Sequence, residues 1–149
     1  QKDFFGLIFH SLLKYMDILR KTRYREKILF ILDSLKYIHI FGSDEIEKRS
    51  VFYSIQTAIE ALIDIIAMIV KDCGIIVKSD RENIDNLVKF KKWDPTLAER
   101  LKKANGLRNL LVHRYNGIND SKIRDFVPEI QNVLHVWLDK IEEGLKELE

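Results

Sequence analysis

A chain of 149 residues, 46% hydrophobic and 32% charged, fits one soluble domain large enough to bury a core. Six Gly and two Pro leave too few turn residues for an all-β fold. The net charge of +2 names no partner, and Cys73, the only cysteine, excludes an intrachain disulfide and makes a reduced, cytoplasmic setting the expectation.

Helical signals dominate in chain order. Phe4 to Tyr37 is apolar-periodic, with Lys21-Thr22-Arg23 as a break between two helices. The first residues, Gln1 to Leu13, lack the basic start and small-residue cleavage site of a signal peptide. Gly42-Ser43-Asp44 reads as a stop followed by an N-cap. The next helix, Glu45 to Asp72, is the most hydrophobic, and Cys73-Gly74 ends it. On a 100° wheel Val51, Ile55, Ala58, Leu62, Ile65, Ile66 and Ile69 form a broad apolar arc, with Gln56, Glu60, Asp64 and Lys71 on a narrow polar side. That pattern suits the central helix of a bundle. Its apolar run, Ala58 to Val70, contains Glu60 and Asp64 and is too short to cross a bilayer, so no membrane is expected.

Ser79-Asp80-Arg81-Glu82 is a capping box opening a short helix to about Lys91. Asp94-Pro95 supplies an N-cap and a first-turn proline for a helix to about Tyr115, closed by Asn116-Gly117. Asp120 or Ser121 caps the last helix, which runs to about Leu148 and which Pro128 should kink or split. No strand alternation or repeat stands out. The expected fold is all-α, an antiparallel up-and-down bundle with additional short helices.

Charge is uneven. Residues 87–124 hold ten Lys/Arg against three acids, a local +7 that leaves −5 elsewhere. Such asymmetry suits a polyanion, and equally a solvated, charge-laced helix surface. Within it lies Arg108-Asn109-Leu110-Leu111-Val112-His113-Arg114-Tyr115, which gathers a guanidinium, an imidazole and a phenol. The helix carries an apolar stripe of Leu97, Leu101, Ala104, Leu111, Val112 and Tyr115, and Arg108 falls in its middle. A permanent charge on a core-facing line needs a partner or an interface; Glu60 and Asp64 are candidate partners. His113 lies about 140° round from Arg108 on a straight helix, whereas Asn109 and His113 share a face. Arg108 can meet His113 through its long side chain, through a distortion near Gly106, or across a two-fold interface.

Arg108 to His113 matches the R-x4-H motif of the HEPN superfamily, and with Tyr115 the stretch resembles the HepT-like toxin branch. Ser54 to Ile65 resembles that family's central helix, and Leu97 to Lys102 the run leading into the motif. The likeness covers about Tyr24 to Glu143. It implies a HEPN-type bundle over residues 21–149, with residues 1–20 as an N-terminal helical extension.

The resemblance further implies the toxin of a type VII-like toxin–antitoxin pair: a metal-independent endoribonuclease, working as a homodimer with two motifs in one cleft and requiring no cofactor. His113 would serve as general base or acid while a ribose 2′-hydroxyl attacks the adjacent phosphate. Arg108 would hold the phosphate, and Asn109 would orient His113 or the phosphate. Arg114, Lys102 and Lys103 are the candidate RNA contacts. Tyr115 resembles the acceptor for AMP supplied by a cognate minimal nucleotidyltransferase antitoxin, which would place charge and bulk where RNA must bind. Without the resemblance, Tyr115 reads as a core aromatic. The competing reading is a non-catalytic HEPN module that binds the nucleotidyltransferase.

Other constellations are poor: there is no Glu-x-x-His pair, P-loop or G-x-G-x-x-G, and His10, His39 and His135 are scattered. Lys89, Lys91 and Lys92 flank Phe90 and Trp93, two aromatics expected to close the core.

Overall fold

The computed structural model describes residues 2–113 and 119–147, and these form five α-helices and no strand. In chain order they are α1 (Lys2–Leu35), α2 (Glu45–Asp72), α3 (Asp80–Lys91), α4 (Pro95–Val112) and α5 (Asp120–Glu147). The centre is α2, which packs against each of the other four. All seven residues of its expected apolar arc are fully buried, while Glu60, Asp64 and Lys71 are exposed. By length and composition α2 could cross a membrane, but 61% of its most apolar window is buried inside the bundle, as befits a core helix.

Local chemistry sets the helix ends. The Asp44 carboxylate accepts the amides of Ile46 and Glu47. Cys73 caps the other end of α2, and Gly74 follows at φ 77°, a left-handed conformation that glycine adopts without strain. Ser79 and Glu82 make the expected reciprocal capping box, and the serine's hydrogen bonds hold the Glu82 carboxyl below its ordinary pKa. The Asp94 carboxylate accepts the Thr96 amide ahead of Pro95.

Three expectations about helix boundaries need correction. The break at Lys21-Thr22-Arg23 is absent, because α1 is one 34-residue helix. None of the three residues opposes a helix strongly, and the Thr22 hydroxyl donates to the Ile18 carbonyl at 2.9 Å. On either side, Arg20 (3.2 Å) and Tyr24 (2.5 Å) both engage Asp72, clamping α1 to the end of α2. Burial, then that hydrogen bond, pushes the Tyr24 phenol above its ordinary pKa. At the start of α5 the capping side chain is neither Asp120 nor Ser121 but Asn119, whose Oδ1 accepts the amides of Ser121 and Lys122. Pro128 does not split α5, which runs through it as one helix. The expected close of α4 at Asn116-Gly117 lies outside the described residues.

Polar contacts fix directions. Lys27 meets Asp64 at 3.3 Å, so α1 and α2 are antiparallel. Lys102 meets Asp85 and Arg108 meets Asp80, so α3 and α4 are antiparallel. The Trp137 indole donates to the Leu97 carbonyl at 3.1 Å and Arg100 meets Glu129 at 2.8 Å, making α4 and α5 antiparallel. Lys48 binds Asp120 at 2.8 Å, joining the first turn of α2 to the first turn of α5. The end of α4 and the starts of α2 and α5 therefore share one end of the bundle. The end of α2 and the last turns of α5 lie at the other.

Trp93 closes the core as expected, edge-on to the fully buried Trp137 at 6.0 Å between ring centroids. Phe90 does not; it is 52% exposed. It sits one residue out of step with the face formed by Ile84, Leu87 and Val88, which α3 turns inward. Replacing Trp137 with Ala should lower the free energy of unfolding by about 3–5 kcal/mol, since it removes both a large buried side chain and a buried hydrogen bond. Urea denaturation checks this, with exposed Glu60→Ala expected to change it by less than about 0.5 kcal/mol.

Candidate functional site

The motif occupies the last turn of α4. Asp94 and Pro95 launch that helix, and Leu97, Ala98, Leu101, Ala104 and Leu111 anchor it against the core. Within the motif only Leu111 is deeply buried; Leu110 is 61% and Val112 42% exposed. Val112 thus leaves the stripe assigned to it from the sequence. It is the last helical residue and sits past the point where neighbouring helices cover α4. Asn109 and His113 are also exposed.

Arg108 lies at the covered edge, its side chain 19% exposed. Its partner is not Glu60 or Asp64. Asp64 is taken by Lys27, and Arg108 instead turns to Asp80 in the first turn of α3. The separation of 3.8 Å makes this an ion pair without a short hydrogen bond. The same Asp80 oxygen accepts from the Asn105 amide at 3.4 Å. Asn105, 5% exposed, is one of the few buried polar residues.

This trio is incompletely satisfied. Among the described residues the buried Nε of Arg108 and the buried Oδ1 of Asn105 have no hydrogen-bond partner. An unmet buried donor costs about 1–3 kcal/mol and calls for an explanation in terms of function or a bound group. The N-terminus of α3 adds a positive dipole end beside the guanidinium, which Asp80 and Glu82 only partly offset. Chemically this is a cation with spare donor capacity, the arrangement that receives a phosphate oxygen.

His113 is the C-cap of α4, with φ −98° and ψ 45° and its backbone amide donating to the Asn109 carbonyl at 3.2 Å. No contact joins its ring to Arg108. Asn109 and His113 come together through this cap, Arg108 and Asp80 through the α3–α4 packing. Tyr115 and Arg114 lie outside the described residues.

The local positive charge is smaller in effect than its count. Arg100 is paired with Glu129 and also donates to Asn132. Lys102, its side chain 9% exposed, is held by Asp85 (2.8 Å) and Glu99 (2.7 Å). Its ammonium therefore ties α3 to α4. Lys103 is exposed and lies 5.2 Å from the centre of the Phe126 ring. Arg124 donates to the Phe41 carbonyl and stacks on that ring.

Asp80 and Asn105 were not picked out as site residues from the sequence. Asn105 had a signal, being a polar residue on the same core-facing line as Arg108. Asp80 had none beyond its capping box, since its meeting with Arg108 follows from the antiparallel docking of α3 on α4.

The Ribonuclease HepT-like family model matches residues 21–141. A proposed RNase of Archaeoglobus fulgidus is 40% identical over 131 residues, 88% of this chain and 99% of the relative. A second one from the same organism is 38% identical over 119 residues, 79% of this chain and 90% of its own. Among solved structures, a tri-AMPylated HEPN toxin of Shewanella oneidensis in complex with an MNT antitoxin is similar with a TM-score of 0.73. Identity is 27%, covering 81% of this chain and 97% of that one. A toxin–antitoxin structure with AMP-PNP gives a TM-score of 0.71 at 26% identity, covering 80% and 97%. By family match, sequence and all-α architecture together, the chain belongs to the HepT-like ribonuclease family of HEPN fold.

Proposed function

We propose that this protein is the toxin of a toxin–antitoxin pair and cleaves RNA without a metal, at a cleft formed by the motif ends of two copies. The observation that carries the reading is Arg108: a guanidinium inside the family-matched segment, held beside Asp80 with its Nε donor unmet. The separation of Arg108 and His113 within one chain favours a cleft in which each copy supplies part of the set.

In such a cleft the neutral His113 ring removes the proton of a ribose 2′-hydroxyl. The 2′-oxygen attacks the adjacent phosphorus, the bond to the 5′-oxygen breaks, and the leaving oxygen takes a proton from the second, protonated imidazole. The product is a 2′,3′-cyclic phosphate and a free 5′-hydroxyl. Arg108 binds the phosphate oxygens through its fork and offsets the charge that builds on them in the pentacoordinate state. Asn109, on the face of His113, orients the ring. Lys103 and Arg114 extend the basic path for the chain of phosphates.

The antitoxin side of the reading rests on the solved neighbours, which are toxins in complex with their antitoxins, one of them tri-AMPylated. Tyr115, two residues beyond His113, is the proposed AMP acceptor here. Transfer would join its phenolic oxygen to the α-phosphate of ATP and release pyrophosphate, adding an anion to the motif segment.

Cleavage of single-stranded RNA in excess EDTA should fall by about 10²-fold or more in His113→Ala and Arg108→Ala, judged by gel and by cyclic-phosphate ends. Cleavage persisting in both variants rejects the reading and leaves a binding module. Asp80→Asn removes the counter-charge of Arg108 but keeps an amide for Asn105. It should tighten RNA binding while lowering turnover by about tenfold, through looser placement of the guanidinium; a fall in both kcat and KM is the expected signature. Co-expression with the cognate nucleotidyltransferase should add AMP-sized mass increments that vanish in Tyr115→Phe. An unchanged intact mass with an active transferase would remove the regulatory part.

A further inference from the structure

Nothing in the motif accounts for the first half of α1. Arg20 and Tyr24 bind Asp72, the last residue of α2, so the helix before them runs past the end of its neighbour. Residues 2–19 amount to about 27 Å of helix at 1.5 Å per residue. Of the six described side chains of that arm, all but Asp17 are apolar: Phe4 and Leu7 are 66% exposed, Ile8 44%, Ile18 61% and Leu19 50%. Further along α1, Leu29 and Leu32 are also open, at 57% and 40%.

Four of these residues form one stripe. At 100° per residue Leu7, Ile18, Leu29 and Leu32 lie within about 60° of one another. The core-facing Tyr24 and Ile31 lie about 120° round the helix.

The stripe is also symmetric about Ile18. Leu7 and Leu29 each lie eleven residues from it, and Phe4 and Leu32 fourteen. Two such helices laid antiparallel about a two-fold axis at Ile18 bring Leu7 opposite the second copy's Leu29. A surface complementary to itself under a two-fold axis is what an isologous dimer requires. The seat for the arm exists as well. A groove of about 520 Å³ runs along α1 from Asp17 to Leu32; its apolar part is Ile28, Leu29 and Leu32 with Leu145 of α5 across from them, and the rest is polar, from Arg20, Lys21 and Arg25 to Asp72 and Glu142. It and the arm from Phe4 to Leu19 each span sixteen residues, about 24 Å.

We propose that two copies of this chain exchange their N-terminal arms, each lying antiparallel along α1 of the other in the α1–α5 groove. The proposal does not rest on the ribonuclease reading. The family match begins at residue 21, so the arm precedes it, while the groove residues Ile28, Leu29 and Leu32 lie within it. A lipid surface is the less suited occupant, because Lys2 and Lys14 are balanced by Asp3 and Asp17, whereas a surface-bound helix has a basic polar face.

Light scattering after gel filtration, with the full chain at micromolar concentration, tests the arrangement. Ile18→Glu sets two carboxylates against each other at the axis and should lower the particle mass to that of a species without the arm contact, a single copy or a pair joined at the motif ends, without loss of helical signal. Leu7→Glu and Leu29→Lys should each do the same. The double variant, which makes opposite charges face each other only across copies, should restore the wild-type mass. An Ile18→Glu mass equal to the wild type's overturns arm exchange. Failure of the double variant to recover overturns the antiparallel register. Flotation of the wild type, but not of Ile18→Glu, with phosphatidylserine vesicles at unchanged mass overturns the proposal in favour of membrane attachment.

Discussion

The bundle is organised by the need to cover α2. A helix that buries residues on nearly every side, from Val51 to Val70, cannot remain exposed in water. Burying each large apolar side chain is worth about 1.5–3 kcal/mol, and α2 holds nine Ile, Leu and Val residues together with Phe52 at 6% exposure or less. Four helices share the task, and their order around α2 leaves little freedom to the rest. The segment 73–79 must retrace part of the length of α2 before α3 can begin, and seven extended residues reach about 23–25 Å. That return delivers the first turn of α3 beside the last turns of α4.

The candidate site is a by-product of this return. Asp80 is a first-turn acid, favourable at any helix N-terminus, and here it also meets a guanidinium. One carboxylate oxygen serves both Arg108 and Asn105, so neither receives a full complement of hydrogen bonds. A purely structural ion pair at such a depth gains most when every donor is met. A guanidinium held at 3.8 Å with Nε open keeps its place without being neutralised. Lys102, six residues earlier in α4, shows the contrast: two carboxylates within 2.8 Å engage it and raise its pKa.

Most of the fold could be read from the chain because its helix ends carry explicit chemistry. Asp44, Ser79 with Glu82, and Asp94 with Pro95 each mark a start that the structure reproduces, and the wheel of α2 named its buried residues correctly. The misreadings occurred where local signals compete with packing. Lys21-Thr22-Arg23 is polar enough to suggest a break, but the clamp on Asp72 comes from a residue about fifty positions away. Phe90 and Val112 were assigned inward by their apolar character, and position relative to neighbouring helices decides otherwise. In the site, Arg108 was legible because a charge interrupts an apolar stripe. Its partner was not, since Glu60, Asp64 and Asp80 are equivalent until helix order in space is known.

The two ends of the bundle constrain what any assembly can be. The motif sits where α4 ends and α2 and α5 begin, as the Lys48–Asp120 pair fixes. The arm leaves from the opposite end, about 42 Å away along the 28 residues of α2. Antiparallel pairing of two α1 helices points the motif ends of those copies away from each other. A pair joined through its arms therefore cannot close a motif cleft between the same two molecules. The proposed cleft would then need a further copy, so the two contacts would alternate from chain to chain and would end in a closed ring only if their axes converge. On that proposal the arm acts on how many motif ends are gathered in one particle, while the chemistry proposed for each cleft falls to Arg108, His113 and the carboxylate of Asp80.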